Sequence, residues 1–233
     1  MGAEAVRETQ LVIVGAGSHG REILSYLDDL SQEDVRIRLA GFIDEEKQKG
    51  SFRGAIVLGD LKDLETVLEA SPAELYYIAA IGRSDLRKQL VERIEGLQRP
   101  NLLAWTLRHR AAFVGANVEI GKGTCLAPGS VITTHVSLGR HGIVNVNASI
   151  SHDCTIGDFV SINPGVVICG NVTIGEGCFV GTGSTIINKV SIGAWTVIGA
   201  GSVVTEDIPS HVTAVGVPAR VIKRHYDIDS KLQ

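Results

Sequence analysis

The chain has 233 residues, of which 44% are hydrophobic and 21% are charged, a balance typical of a folded globular protein. Its formal net charge is −4 and its pI is near 6.0, so no overall basic character points to a nucleic-acid partner. No apolar run is long enough for a membrane-spanning helix, and the polar start MGAEAVRETQ is unlike a signal peptide, which predicts a cytoplasmic protein.

The first hundred residues alternate between strand-like and helix-like segments. Three strands and three helices are predicted, in the order 11–14, 21–30, 39–43, 61–70, 75–81 and 86–94. Such alternation is typical of a parallel sheet with helices on its faces. The segment from Asn101 to Leu107 is expected to join two domains, so we predict a small Rossmann-like domain over residues 1–105.

A glycine-rich turn follows the first predicted strand, with Gly15, Gly17 and Gly20 in the spacing GxGxxG. Glycines let the backbone approach a diphosphate, and the N-terminus of the following helix supplies free N–H groups. Asp44, at the end of the second strand, is placed to accept hydrogen bonds from a sugar or a base. The spacing fits NAD, a nucleotide-linked substrate or a simple tight turn. Because the domain is too small for the full six-stranded dinucleotide fold, we favour a nucleotide-linked substrate.

From residue 114 onward the sequence repeats every six residues. Sixteen consecutive register positions carry only Val, Ile or Leu, namely Val114, Ile120, Leu126, Ile132, Leu138, Val144, Ile150, Ile156, Ile162, Ile168, Ile174, Val180, Ile186, Ile192, Ile198 and Val204. Six residues form one short strand and a turn, and three such units return the chain to the same corner. The pattern therefore predicts a parallel β-helix of hexapeptide repeats with about five coils. A β-sandwich of short strands is the alternative.

Two further series have a period of eighteen residues. One comprises Gly121, Gly139, Gly157, Gly175 and Gly193, and the other comprises Asn145, Asn163, Gly181 and Gly199. We interpret both as corner residues, because glycine and asparagine tolerate the left-handed backbone that a tight corner demands. A total of 27 glycines with only 5% aromatic residues agrees with a thin, repetitive core. The repeat domain is expected to span 106–222, with 223–233 as a C-terminal tail.

The four cysteines have no C-x-x-C spacing, so neither a zinc site nor a disulfide framework is predicted. Cys154 and Cys178 fall on small-residue positions of the predicted interior, which makes them core thiols rather than nucleophiles. His152 and Asp153 lie just beyond a predicted corner, so the imidazole should point outward. There it could accept a proton while a neighbouring carboxylate fixes its tautomer. A solvated surface histidine is the alternative.

The combination of motifs resembles one bacterial family, the sugar O-/N-acyltransferases typified by UDP-4-amino-sugar N-acetyltransferases and sialic acid O-acetyltransferases. The resemblance covers residues 9–222 and rests on the GAGSHG turn, the strand ending in Asp44, the Ala-Ala-Ile-Gly segment ending at Gly82, the Ser-His-Asp triplet at 151–153 and the closing GVPAR at 216–220. It implies a left-handed β-helix, a homotrimer and acetyl-CoA bound between adjacent β-helices, with no metal required.

The resemblance also implies roles for individual residues. His152 corresponds to the general base, Asp153 to its acidic support, Asn145 to a nearby asparagine, and the Gly170 N–H to the oxyanion donor. The implied acetyl-CoA contacts are Ser161, Thr182 and Ala200, with Val217 and Arg220 from the closing motif; the basic Lys223 and Arg224 beside them either face solvent or meet phosphates. The implied sugar-nucleotide contacts are Gly17, Ser18, His19, Asp44 and Gly82. Three positions depart from residues frequent in the family: Asp153 (glutamate), Ser161 (histidine) and Ala200 (glycine).

We therefore expect an acetyl-CoA-dependent N-acetyltransferase that acts on the amino group of a nucleotide-linked amino sugar, of the UDP-4-amino-sugar type. O-acetylation of sialic acid or another sugar is the alternative within the enzyme class. A non-catalytic hexapeptide-repeat scaffold is the alternative outside it. The glycine-rich turn favours a sugar nucleotide, and the His-Asp pair together with the closing motif favours catalysis.

Overall fold

The computed structural model describes residues 7–30, 35–52, 54–70 and 74–225. The chain divides into two compact units, residues 1–82 with 86–110 and residues 83–85 with 111–233. The domain boundary that we predict near residue 105 lies shortly before this division. Of the predicted tail, residues 226–233 lie outside the described residues.

The first unit is built on a six-stranded sheet with the strand order β3-β4-β2-β1-β5-β6. All neighbouring strands are parallel except β3 and β4. We expected the domain to be too small for a six-stranded fold; its sheet nevertheless reaches six strands, because β3 and β6, which were not predicted, form its two edges. The elements of this unit are β1 (Arg7–Val14), α1 (Ser18–Tyr26), a 3-10 helix (Leu27–Asp29), β2 (Val35–Ile43), β3 (Gly50–Phe52), β4 (Ala55–Gly59), α2 (Leu61–Ala70), β5 (Leu75–Ala79), α3 (Ser84–Gly96), β6 (Leu102–Ala104) and β7 (Leu107–Arg108). The centre of β1 is fully buried, as expected for a parallel strand covered on both faces.

The boundaries differ from the predicted ones where turn geometry decides them. Helix α1 begins three residues earlier than predicted, at Ser18, because the turn closes into the helix with the Arg21 N–H bonded to the Gly17 carbonyl. The antiparallel pair β3–β4 was not predicted, since β3 lies in a polar, glycine-containing stretch and the apolar run of β4 is only five residues long.

The second unit is a parallel β-helix with three faces, each named by its first strand. The β8 face carries β8 (Phe113–Val114), β11 (Val131–Ile132), β14 (Ser149–Ile150), β17 (Val167–Ile168), β20 (Thr185–Ile186) and β23 (Val203–Val204). The β9 face carries β9 (Val118–Ile120), β12 (Val136–Leu138), β15 (Thr155–Ile156), β18 (Thr173–Ile174) and β21 (Ser191–Ile192). The β10 face includes β10 (Cys125–Leu126), β13 (Ile143–Val144), β16 (Ser161–Ile162), β19 (Phe179–Val180), β22 (Val197–Ile198), β24 (Val212–Val215) and β25 (Arg220–Arg224).

Successive coils stack with a shift of eighteen residues, as in the pairing of Ser149 with Val167 and of Ile150 with Ile168. Of the sixteen aliphatic register positions, all but Val114 and Ile120 are buried, and these two pack against the same core. The predicted architecture is therefore confirmed: a small α/β domain with a parallel sheet precedes a left-handed parallel β-helix.

Our interpretation of the two eighteen-residue series as left-handed corner residues was wrong. The left-handed positions of each corner carry other residues, including Asn117, His135, Asp153, Asn171 and Lys189 in one corner and Gly129, Asn147, Gly165, Gly183 and Gly201 in another. The series that begins at Gly121 is required by close approach instead. A Cβ atom at Gly121 would lie 2.4 Å from the backbone nitrogen of Arg140 in the next coil.

Candidate active site

The structure places His152 at the corner between β14 and β15, with its side chain 56% exposed. Its Nδ1 atom lies 2.7 Å from Oδ2 of Asp153. Asp153 adopts a left-handed backbone with φ of 59°, and the corner is fixed to the next coil by the Asn171 N–H, which donates to the His152 carbonyl. The carboxylate favours the tautomer in which Nδ1–H donates to it, which leaves the Nε2 lone pair available to accept a proton.

Gly170 lies directly against this imidazole, one coil further along. A Cβ atom at Gly170 would be 2.5 Å from Cε1 and 2.7 Å from Nε2 of His152. Gly170 is buried, and its N–H has no hydrogen-bond partner among the described residues. A buried N–H beside a proton acceptor is the arrangement that stabilises the oxyanion of an acyl-transfer reaction.

Cys154 and Cys178 are buried in the core of the β-helix. The thiol of Cys154 lies 3.2 Å from the Cys169 carbonyl, and that of Cys178 lies 3.0 Å from the Gly193 carbonyl. Burial raises the pKa of both thiols, and that of Cys178 reaches about 11. A thiol held protonated at neutral pH is a poor nucleophile, so these groups act as packing residues, as the sequence predicts.

Asn145 lies at the opposite edge of the β8 face from His152. It precedes β14, whereas His152 follows it, so the width of the face separates the two residues within one chain. The side-chain oxygen of Asn145 accepts a hydrogen bond from the Val146 N–H at 2.7 Å. A single chain therefore does not bring Asn145 to the imidazole.

The five residues expected to contact acetyl-CoA differ in their surroundings. Ser161 is buried, so its side chain is closed to a ligand within this chain. Thr182 and Ala200 are exposed at one corner of adjacent coils, which are linked by the hydrogen bond from the Gly201 N–H to the Thr182 carbonyl. Val217 and Arg220 are also exposed. Their segment is fixed beside β23, because the Ala219 N–H donates to the Val203 carbonyl.

In the first unit, the glycine-rich turn joins β1 to α1 under tight steric limits. Gly15 has a φ of 109°, and a Cβ atom at Gly20 would lie only 2.0 Å from the Gly15 carbonyl oxygen. Gly17, by contrast, is exposed and would meet no atom within 4 Å. Gly15 and Gly20 are thus needed for the turn itself, whereas the absence of a side chain at Gly17 leaves open space beside the N-terminus of α1.

His19 follows Ser18 in the first turn of α1, and its Nδ1 atom lies 3.0 Å from Oε2 of Glu22. This hydrogen bond lowers the pKa of Glu22. The other ring nitrogen, Nε2, is buried without a partner among the described residues. Since a buried polar atom normally has a hydrogen-bond partner, Nε2 is suited to form a hydrogen bond with a polar ligand.

A cavity of about 670 Å³ lies beside the glycine-rich turn in the first unit. Gly17, Ser18, His19, Asp44 and Gly82, all predicted from sequence, border it together with residues that were not predicted, among them Glu45, Glu46, Gln89 and Arg93. Helix α3 contributes Leu86, Gln89, Leu90 and Arg93, a spacing of i, i+3, i+4 and i+7 that places them on one helix face. That spacing was the signal in the sequence that could have identified them.

Asp44 borders the cavity, as predicted, and its carboxylate also has a structural role that was not predicted. Its carboxylate accepts hydrogen bonds from the backbone N–H groups of Ala16, Glu46 and Lys47 at 2.7, 2.9 and 3.1 Å. Most of its acceptor capacity is therefore used to join the glycine-rich turn to the end of β2. The neighbouring Glu45 instead forms an ion pair with Arg93, at 2.9 Å between Nη1 and Oε2.

Two features are absent from the described residues. No group of three or more His, Cys, Asp or Glu side chains is arranged to hold a metal ion. None of the helices in the described part of the chain is both long and apolar enough to cross a membrane.

Comparisons with known proteins agree with both units. The family model of the PglD N-terminal domain matches residues 10–94, and the model of the bacterial transferase hexapeptide, with six repeats, matches residues 171–206. A sequence search of curated proteins finds no match.

Several solved structures are similar over nearly the whole chain. A histidine variant of perosamine N-acetyltransferase from Caulobacter crescentus, in complex with CoA and GDP-perosamine, is 30% identical with a TM-score of 0.82, covering 91% of this chain and 95% of that one. The acetyltransferase domain of PglB from Neisseria gonorrhoeae is 30% identical with a TM-score of 0.80, covering 91% and 99%. WeeI from Acinetobacter baumannii is 29% identical with a TM-score of 0.77, covering 92% and 100%. Together with the two family models, this similarity shows that the chain is an acyltransferase of the bacterial sugar O-/N-acyltransferase family, within the hexapeptide-repeat superfamily.

Proposed function

We propose that this enzyme transfers the acetyl group of acetyl-CoA to the amino group of a nucleotide-linked amino sugar, with His152 as the general base. The observation that carries the proposal is the corner at His152, where Asp153 orients the imidazole and the unpartnered Gly170 N–H lies beside it. Two relatives support the substrate classes: the perosamine enzyme was solved with CoA and GDP-perosamine, and the PglB domain with acetyl coenzyme A.

The proposed reaction uses each of these groups once. The sugar amine attacks the thioester carbonyl and forms a C–N bond, while Nε2 of His152 takes the proton that the amine loses. The Gly170 N–H donates to the oxyanion. Loss of a single donor of this kind raises the activation free energy by about 3 kcal/mol. The C–S bond then breaks, and the CoA thiolate receives the proton from His152. Asp153 stabilises the imidazolium that exists between the two proton transfers.

We assign the cavity of the first unit to the nucleotide part of the substrate. The turn at 15–20 and the start of α1 provide backbone N–H groups for a diphosphate. A valine in place of Gly17 would enter open space, so the fold should be kept while the ligand is excluded. Gly17→Val is therefore expected to raise the KM for the nucleotide sugar and to leave acetyl-CoA binding unchanged. An unchanged KM for the nucleotide sugar would argue against this assignment.

A homotrimer is proposed as the active form. The outward residues of the β8 face include Phe113 at 58% exposure and Val167 at 42%, whereas those of the β9 face are Glu119, Ser137, Thr155, Thr173 and Ser191. We therefore place the β8 face at the interface. If three chains turn this face toward a common threefold axis, the Asn145 edge of one chain lies against the His152 edge of the next. Light scattering at micromolar concentration should give about 75 kDa, three times the 24.8 kDa chain, and a monomer would contradict the proposal.

The experiment that tests the function measures thiol release from acetyl-CoA with a panel of UDP-, GDP-, dTDP- and CMP-linked amino sugars. Matched nucleotide sugars with a hydroxyl group in place of the amine form the second arm. Activity confined to amines supports N-acetylation, and activity confined to hydroxyls would establish O-acetylation instead. His152→Ala protein is the control for uncatalysed release. No release with any acceptor would contradict the proposed substrate classes. The base of the nucleotide, the UDP type and the cytoplasmic location stay predictions.

A further inference from the structure

The first unit contains a buried guanidinium that no step of the proposed reaction uses. Arg87 lies one turn into α3 and is only 1% exposed, which makes it the largest fully buried side chain among the described residues. Burying a guanidinium is costly unless its donors are satisfied. A residue that served packing alone would therefore be expected to be apolar at this position.

Two hydrogen bonds of Arg87 reach the wall of the cavity. Its Nη1 atom donates to the Ile81 carbonyl at 2.6 Å and to the Gly82 carbonyl at 3.1 Å. Ile81 and Gly82 line the cavity, as do the helix neighbours Leu86 and Leu90, whereas Arg87 does not. The guanidinium thus lies behind the wall and fixes the turn that follows β5.

The planar peptide bond turns this anchoring into an orientation of N–H groups. In a trans peptide the C=O and the N–H point in opposite directions. When Arg87 holds the carbonyls of residues 81 and 82, the N–H groups of the 81–82 and 82–83 peptides must point away from the guanidinium. The same turn is tied to the glycine-rich turn, because the Ala80 N–H donates to the Val14 carbonyl at 2.8 Å.

We propose that Arg87 is a positioning residue for the substrate diphosphate: it orients the peptide groups around Gly82 so that their N–H groups face the cavity opposite the 15–20 turn. Two N–H groups of successive peptides form a concave anion site. This inference rests on the proposed nucleotide-sugar function. It predicts that Arg87 affects nucleotide affinity without touching the nucleotide.

The test compares binding of UDP, GDP and CoA, by calorimetry on the full chain, for wild type, Arg87→Met and Arg87→Lys. Lys88→Met is the matched control, since it removes a positive charge from the next position of the same helix and does not line the cavity. Misdirected N–H groups should weaken binding of the accepted nucleoside diphosphate at least about tenfold in Arg87→Met. CoA affinity should stay within about twofold, and Lys88→Met should behave as wild type.

Hydrogen exchange adds a readout that a general loss of stability would not reproduce. With the accepted nucleoside diphosphate bound, the amides of residues 82 and 83 should be protected from exchange in wild type but not in Arg87→Met, while those of β1 and β5 keep their protection in both proteins. Unchanged nucleotide affinity would overturn the proposal, as would an equal loss of CoA affinity. If Arg87→Met fails to fold, Arg87→Lys decides, because lysine keeps the charge without the planar fork. The Arg87→Lys variant should still bind the nucleotide about threefold more weakly than wild type, and an affinity equal to that of wild type would overturn the inference. If neither UDP nor GDP binds wild type, the nucleotide of the sugar that the substrate panel identifies is used instead. If the panel identifies none, the nucleotide-sugar assignment itself fails, and the inference with it.

Discussion

Replacing Gly170 by alanine tests whether the position of the His152 ring controls catalysis. Gly170 is outside the left-handed region, so alanine is compatible with its backbone. The new Cβ atom, however, would lie 2.5 Å from Cε1 and 2.7 Å from Nε2 of His152. The ring has to move by about 0.9 Å to restore an ordinary contact of 3.4 Å, and the Gly170 N–H is retained.

The size of the expected effect follows from this displacement. A misplacement of about 1 Å at a reacting group costs on the order of 10²-fold in rate, which corresponds to about 2.7 kcal/mol of transition-state stabilisation. The free energy of unfolding should change by less than about 1 kcal/mol, since the imidazole is more than half exposed and can move into solvent. We therefore expect a fall in kcat with little change in thermal stability.

The assay is thiol release from acetyl-CoA with the acceptor that the substrate panel identifies. Gly142→Ala is the matched control in the same domain, because its Cβ would be 3.6 Å from Thr124, an ordinary contact. Its kcat is expected to stay within about twofold of wild type. A Gly170→Ala enzyme whose kcat also remains within about threefold would refute the reasoning, because the ring would then be displaced without consequence.

Three further predictions use the same two units. His152→Ala should lower kcat about 10²- to 10⁴-fold with little change in the KM for acetyl-CoA, and it should remove the acid limb of the pH–rate profile; an unshifted acid limb would exclude His152 as the base. Val167→Asp should dissociate the proposed trimer in light scattering, while Thr173→Asp on the polar β9 face should not, and equal effects would contradict the proposal that the β8 face forms the interface. Burial raises the pKa of the Cys178 thiol from 9.0 to about 11, so as pH rises the thiol ionises in the unfolded chain before it ionises in the folded one. The stability that the buried, protonated thiol contributes is therefore lost between pH 9 and pH 11. Urea unfolding should therefore show wild type losing up to about 2.7 kcal/mol relative to Cys178→Ala over that interval, and a difference independent of pH would contradict the burial argument.

Most of the repeat unit could be predicted from sequence because its geometry is local and periodic. The six-residue aliphatic register fixes which side chains enter the core. The eighteen-residue period also places residue 170 one coil beyond residue 152, which agrees with the contact between Gly170 and His152, although Gly170 itself was predicted only from the family resemblance. The period did not reveal which residue at each corner adopts a left-handed backbone conformation. Left-handed φ values fall on residues such as Asp153 and Phe159, because coil stacking decides where the chain must bend.

The first unit shows the opposite balance. The GxGxxG spacing located the turn, but only the folded chain decided that the Asp44 carboxylate would be used by three backbone N–H groups. Glu45 forms an ion pair with Arg93, and Arg87 anchors the turn after β5. No periodic spacing in the sequence relates the segments that these contacts join. In a sheet with crossover helices, such contacts depend on how strands and helices pack in three dimensions. Tertiary structure therefore decided how the side chains at the cavity are paired and anchored, whereas in a stacked repeat the spacing along the sequence already determines which residues become neighbours.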